Sequence, residues 1–197
     1  MSIRRAAGER GLSLVEQIVF IVVVAVAVAG VLAALNLATR ASADPMIQKQ
    51  ALAVAEALLE EVQLQPFTYC DPDDAQAATA ESATVGAAGC AATVEAIGPE
   101  GETRTVSPLY DNVNDYQATA GGLVLTGISD INGTAIPGLE NYTATITVAA
   151  QALDTVAALD ADMRPQSLLI SVRVTGPGNV DVLLHGYRTR YAPNALP

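Results

Sequence analysis

Tryptophan is absent and aromatic residues make up only 4% of the chain, although 51% of it is hydrophobic. A core must therefore be assembled from Val, Leu, Ile and Ala rather than from rings. Positive charge is scarce as well: Lys+Arg total 10 against 21 Asp+Glu, Lys49 is the one lysine, and the formal net charge is −11. Such a chain has few groups to neutralise phosphates, which argues against nucleic-acid partners and against adhesion to anionic lipid by charge alone. Histidine is nearly missing. His185 falls in an expected strand and reads as a packed or surface residue. There is no Gly-x-Ser-x-Gly, no glycine-rich phosphate loop and no His-rich zinc spacing, so no enzyme is expected.

What the chain has in abundance is one apolar run. From Gln17 to Thr39 nothing is ionisable, and the 18 residues from Ile18 to Leu35 are apolar without interruption. That reaches the lower limit for crossing a hydrocarbon core of ~30 Å at 1.5 Å per residue. Arg4, Arg5 and Arg10 precede it against Glu9 alone, while only Arg40 follows closely. This asymmetry predicts an N-terminus inside and a C-terminus outside. A cleaved secretory signal, with Ala41-Ser42-Ala43 as its site, is one reading, but the run exceeds the ~7–15 residues of a signal core. A plain membrane anchor and a packing stem are the others.

The residues ahead of the run separate these readings. Gly11 precedes Leu12, and Glu16 sits at the edge of the apolar segment. Together with the basic leader, this resembles the prepilin peptidase site of type IV pilins and of type II secretion pseudopilins. The resemblance implies cleavage between Gly11 and Leu12, N-methylation of Leu12, and pairing of Glu16 with the α-amine of a neighbouring subunit, which sets axial register. Leu12 stands where Phe is commoner. A carboxylate in an apolar span costs ~2.5–3.5 kcal/mol at mid-membrane and calls for a partner. A capping role competes, because Ser13 lies three residues before Glu16 in a Ser-x-x-Glu box and Glu16 would face the positive end of the helix dipole.

Past the membrane the helical pattern resumes. Asp44-Pro45 offers an N-cap and a first-turn proline, so a break or kink is expected there. Met46, Leu52, Ala55, Leu58, Leu59 and Val62 recur at helical spacing. Gln48, Lys49, Glu56, Glu60 and Glu61 fill the other face, and Pro66 ends the helix. The remainder reads as β. Tyr142 to Val148 and Leu168 to Val174 alternate with period two, Gly176 to Asn179 signals a turn, and Val180 to Tyr191 runs back with a slip at Gly186 that predicts a bulge. Leu123 to Leu125 is a further short strand, and the stretch from Asp154 to Asp162 is weakly helical or loop. The expected fold class is α+β, a long N-terminal helix packed on a C-terminal antiparallel sheet. The plan is a leader (1–11), a stem (12–65, membrane-spanning at about 17–39, amphipathic over 45–65) and a β-rich head (66–197).

With the head outside the cytoplasm, Cys70 and Cys90 read as a disulfide, which for a loop of this size contributes ~3 kcal/mol in the chain-entropy model. Two acidic clusters, Asp71, Asp73 and Asp74, and Asp111 and Asp115 with Asn112 and Asn114, are weak calcium candidates. Neither has the glycine and glutamate of an EF-hand, though pseudopilins related by the resemblance sometimes bind calcium in the head; otherwise no cofactor is expected. Residues 42–63, 66–74 and 186–193 further resemble D-type minor pilins of mannose-sensitive haemagglutinin pili. The resemblance implies a structural subunit held in the bacterial inner membrane, head in the periplasm and then on the cell surface. Its partners would be other pilins, the prepilin peptidase and the assembly machinery of the inner membrane, and its role pilus initiation serving attachment or surface motility. A type II secretion pseudopilin and a membrane-tethered periplasmic binding domain are the alternatives.

Overall fold

The apolar run and the amphipathic stretch after it form a single helix, α1 (Leu14–Leu64), in the computed structural model, which describes residues 13–161 and 163–196 and the side chains of all of these except 38–44. The expected break does not occur, since Pro45 lies inside the helix. A proline there forfeits one backbone hydrogen bond and crowds the carbonyl four residues earlier, a cost of ~3 kcal/mol. Strong helix formers on both sides, Ala33 to Leu35 and Ala51 to Ala53, hold the helix across it. The Asp44 side chain, offered as a cap, lies outside the described residues.

The chain divides into two compact units, Met1–Pro45 and Met46–Pro197. In the first, every residue from Ser13 to Leu37 is exposed. In the second, the helix buries Ala51, Val54, Ala55, Leu58 and Val62, a stripe at the three- and four-residue spacing of one face. The stripe keeps Ala55, Leu58 and Val62 of the expected face, with Leu59 packed against it, and takes Ala51 and Val54 in place of Met46 and Leu52. Met46 and Leu52 are exposed, because the small Ala51 and Ala55 let the helix approach the sheet more closely than Met or Leu would.

The sheet is an antiparallel meander in the order β1 (Leu123–Thr126), β2 (Thr143–Ala150), β3 (Ser167–Gly176), β4 (Val180–Thr189). Alternation puts Ala144, Ile146 and Val148 of β2 and Leu168, Ile170, Val172 and Val174 of β3 on the core side with α1. Threonines 143, 145 and 147 line the opposite face, half-exposed. The β3–β4 hairpin turns through Pro177–Asn179, with Gly178 and Asn179 at φ of 67° and 60°, the left-handed region that glycine and asparagine tolerate. Residues 154–161, from the stretch expected to be weakly helical or loop, are loop.

There is no bulge at Gly186. Pairing with β3 is one-to-one from Gly176↔Val180 to Ser167↔Thr189, with Gly186 opposite Ile170. Gly186 instead marks the close approach of α1: a Cβ there would lie 2.3 Å from Gln63 Nε2 and 3.0 Å from Leu59 Cδ1. Gly186→Val therefore overpacks the helix–sheet seam even though valine favours strands. It is expected to cost about 1–3 kcal/mol, read as a lower urea midpoint at unchanged m-value for the full chain in detergent. An unchanged midpoint would show that the seam has slack.

Between α1 and β1 the chain is mostly irregular and is fixed by a second small cluster, Cys70, Ala77, Ala80 and Cys90, with Tyr69 and Val94 packed against it. Asn194 near the C-terminal end donates to the carbonyls of Ala77 (3.0 Å) and Ala80 (2.8 Å). The Arg190 guanidinium lies 4.2 Å over the Phe67 ring and 5.0 Å from that of Tyr69.

Candidate functional site

At the start of α1, Ser13 Oγ accepts a hydrogen bond from the Glu16 backbone N–H at 3.3 Å, so Ser13 caps the helix as its spacing requires. Glu16 stands exposed in the first turn, where the helix dipole favours a carboxylate. Capping by Ser13 leaves both Glu16 side-chain oxygens out of that bond. Gly11 and Leu12 lie outside the described residues. Beyond Glu16 the surface is apolar on every side, with Phe20 65%, Val26 68% and Leu32 61% exposed. The 24 residues Leu14–Leu37 are long and apolar enough to cross a membrane, as an anchor or a signal sequence would.

In the head, Cys70 and Cys90 form the expected disulfide, 20 residues apart in sequence and 5.5 Å between Cα atoms. It brings together residues that the sequence keeps apart. Asp71 and Asp73, at the start of the loop that the disulfide closes, meet Asp111 and Glu102, and one carboxylate oxygen from each lies within 4.8 Å of the others. The remaining acidic residues serve the backbone. Asp74 accepts from the N–H groups of Gln76, Ala91, Ala92 and Thr93 at 2.7–2.9 Å, which holds its carboxyl well below the usual carboxylate range. Asp115 Oδ2 accepts from the N–H of Asn112 (2.7 Å) and of Asp111 (3.1 Å), closing a capping box on a short 3-10 helix, Val113–Tyr116. Asn112 is wholly buried and donates through Nδ2 to Thr68 Oγ1 at 2.8 Å. Structure thus places Asp71, Asp73 and Asp111 in one cluster, and Asp74, Asp115, Asn112 and Asn114 beside it.

Electrostatics in the cluster are those of like charges crowded together. Burial, then the charges of Glu102, Asp71 and Asp73, push Asp111 up to about 7. Burial followed by Asp115 and Asp71 raises Glu102 to about 7, and its side chain shares a hydrogen bond with that of Asp115. Hard, anionic oxygens in this number suit Ca²⁺ rather than a thiophilic metal, so Asp71, Asp73, Asp111 and Glu102 are the residues that could hold one. His185 is exposed on β4, its Nδ1 2.9 Å from Ser171 Oγ.

No family model matches the chain, and no curated protein or solved structure matches it.

Sequence reasoning missed Glu102, Glu95 and the ion pair of Glu61 with Arg104. Glu102 sits next to Gly101, whose φ of 106° makes a turn, and nothing in the local pattern ties it to Asp71. Helical periodicity puts Glu61 on the solvent side of α1. In the structure its two oxygens are gripped by Arg104 Nε and Nη2, each at 2.7 Å, and Tyr116 OH donates to Oε1 at 2.9 Å.

Proposed function

We propose that this chain is a non-catalytic subunit of a type IV pilus, a minor pilin acting in filament initiation and hence in attachment or surface motility. One observation carries the reading: the Gly11-Leu12 and Glu16 spacing stands at the head of a helix whose apolar residues are exposed on every side over Leu14–Leu37. A helix apolar all round has no stable place in water and needs lipid or other helices. Lipid would cover it in the inner membrane; copies of the same kind of helix would cover it in a filament. Passing from one to the other requires that the only carboxylate in the first turn, Glu16, meet a cation on the way. Cleavage after Gly11 creates that cation at the Leu12 α-amine, charged near neutral pH. The acidic head, its sheet covered on one face by α1, travels with the helix as cargo.

The mature N-terminus is the direct test. Mass spectrometry of the protein recovered from its native membrane is expected to find methylated Leu12 as the first residue. An intact Met1 or Ser2 start would overturn the reading in favour of a tethered domain. Glu16→Ala is expected to leave cleavage after Gly11 largely intact. It should lower incorporation into sheared filaments by roughly a hundredfold, the factor that matches the ~2.5–3.5 kcal/mol of an unpaired charge in the apolar layer. Wild-type incorporation by that variant would remove the amine–carboxylate account. A secretin, an assembly ATPase and further prepilins encoded beside the gene would distinguish a pilus from a secretion pseudopilus.

A further inference from the structure

Two Asn-x-Thr tripeptides, Asn132-Gly133-Thr134 and Asn141-Tyr142-Thr143, stand in the head. With a middle residue other than proline, each matches the acceptor sequence for an N-linked glycan. So short a match arises often by chance, and accessibility has to separate the two. A glycan transferase must grasp the backbone of the tripeptide, reach the asparagine amide and engage the hydroxyl two residues on. A segment built into a sheet or a core offers none of these, whereas an exposed loop offers all three.

The second tripeptide is closed. Tyr142 is 2% exposed, and its hydroxyl donates to Gln50 Oε1 of α1 at 2.9 Å. Its N–H donates to the Leu139 carbonyl, and its own carbonyl accepts from the Gly127 N–H at 2.9 Å. Thr143 opens β2 and is paired on both sides, with Thr126 of β1 and Thr175 of β3. Drawing this segment out would unpick the sheet and a core tyrosine.

The first tripeptide is the opposite case. Residues 128–136 fold back on themselves outside the four-stranded sheet. Ile136 N–H donates to the Ile128 carbonyl and Asp130 N–H to the Thr134 carbonyl, each at 2.9 Å, and Ser129 bridges Ala135. Asp130 Oδ1 holds the tip by accepting from the N–H groups of Asn132 (2.9 Å) and Thr134 (2.8 Å). Gly133, at φ of 79°, takes the left-handed conformation that reverses the chain. Every residue from 131 to 138 is exposed. Among the described residues neither the Asn132 amide nor the Thr134 hydroxyl has a hydrogen-bond partner. The reacting groups are free, and other atoms hold the turn that presents them.

We infer that Asn132 is the acceptor of an N-linked oligosaccharide, transferred at the outer face of the membrane from a polyisoprenyl pyrophosphate carrier. A bond forms between Asn132 Nδ2 and the anomeric carbon of the sugar, and the bond from that carbon to the carrier's pyrophosphate breaks. The pyrophosphate leaves with the electron pair, and the displaced amide proton passes to a base of the transferase. The Thr134 hydroxyl orients the acceptor by hydrogen bonding. The inference rests on the part of the proposed function that puts the head outside the cytoplasm, and not on the filament.

The test is peptide mass spectrometry of the full chain recovered from its native membrane and digested with a glutamate-specific protease. Cuts after Glu102 and Glu140 place the two tripeptides on separate peptides. The peptide of residues 103–140 is expected to carry the added mass of a glycan, localised to Asn132 by fragmentation, and the peptide beginning at Asn141 to be bare. Asn132→Gln and Thr134→Ala should each lose the glycan entirely, while Thr134→Ser, which keeps the hydroxyl, should retain it. Melting curves check that the three variants fold. The cysteines in the same digest tell the two failures apart. A bare Asn132 in a chain with Cys70 and Cys90 joined overturns the inference and leaves the exported head standing. A bare Asn132 with both thiols free overturns the two together. A glycan on Asn141, or one on Thr134 that survives Asn132→Gln, would also overturn it.

Discussion

Glu61→Ala is expected to destabilise the head by about 3–5 kcal/mol, the cost of leaving one member of a buried ion pair without its partner. Arg104 is 6% exposed and bonds Glu61 through Nε and Nη2, while its Nη1 reaches the carbonyls of Ser129 and Asp130 at 3.2 Å. Those carbonyls cannot replace a carboxylate. Removing Glu61 also strands the Tyr116 hydroxyl, on a side chain that is wholly buried. The loss should appear as a urea midpoint far below wild type for the full chain in detergent. Replacing both partners, Glu61→Leu with Arg104→Met, is expected to recover most of it, because the penalty lies in the orphaned charge and not in the absence of the pair. A single variant within about 0.5 kcal/mol of wild type, the ordinary range of surface changes, would show that Arg104 finds solvent.

That pair also shows where a reading of the sequence stops. β2 and β3 are legible because one face of each is buried and the other is not, so Ile146, Val148, Ile170 and Val172 stand out against Thr145, Thr147 and Ser171, while β4 alternates between exposed and half-buried residues. Period two is a local signal. Glu61 is also read locally, as one more acid on a helix face, and its partner lies 43 residues away in an irregular segment that no periodicity describes. Gly186 illustrates a different limit. A glycine breaking an alternation signals either a bulge or a close backbone approach, and deciding between them requires knowing that Leu59 and Gln63 of α1 lie above it. The exchange of Met46 and Leu52 for Ala51 and Val54 in the helix stripe has the same origin: hydrophobicity ranks Met46 and Leu52 above Ala51, whereas close helix–sheet packing favours the smaller residue.

The acidic cluster was half legible. Asp71 and Asp73, and separately Asp111, are visible as local acid groups. Their convergence depends on the Cys70–Cys90 loop and on the anchoring of Asn112 to Thr68, both long-range. Asp74 shows why local acidity misleads, since it faces backbone N–H groups of its own loop and of residues 91–93. For the leader the situation is reversed. Gly11, Leu12 and Glu16 carry their meaning in sequence spacing, and folding of the head adds nothing to it.

Head stability is expected to fall as pH rises from about 4 to 9, against the usual trend for an acidic protein. The sign follows from where protons are held. Asp111 goes from 3.8 to about 7 and Glu95 from 4.5 to about 9 on folding, and Glu102 and Asp115 are raised as well. Between those limits the native state retains protons that the unfolded chain has released, so each step up in pH favours unfolding. The contribution is fully present below the unfolded values near 4 and is lost on passing the folded ones, first near 7 and then near 9. Asp74 works in the opposite sense. Its carboxyl is held low by backbone N–H groups, so its contribution is lost only as pH falls below about 4. A maximum near pH 4–5 results, in place of the more usual ~5–8. Melting temperatures of the full chain in detergent across pH 4 to 9 measure it, with each kcal/mol worth about 2–4 °C at this chain length. Glu102→Gln should flatten the limb around pH 7 and leave the one near 9, which belongs to Glu95. Adding Ca²⁺ at pH 8 tests whether these carboxylates hold a metal. A midpoint that rises with Ca²⁺ in wild type and stays put in Asp71→Asn with Asp111→Asn makes the four carboxylates a metal centre. A profile rising steadily from pH 4 to 8 without any metal would mean that these carboxyls ionise freely in the folded head, and that the crowding around Asp111 is relieved by water.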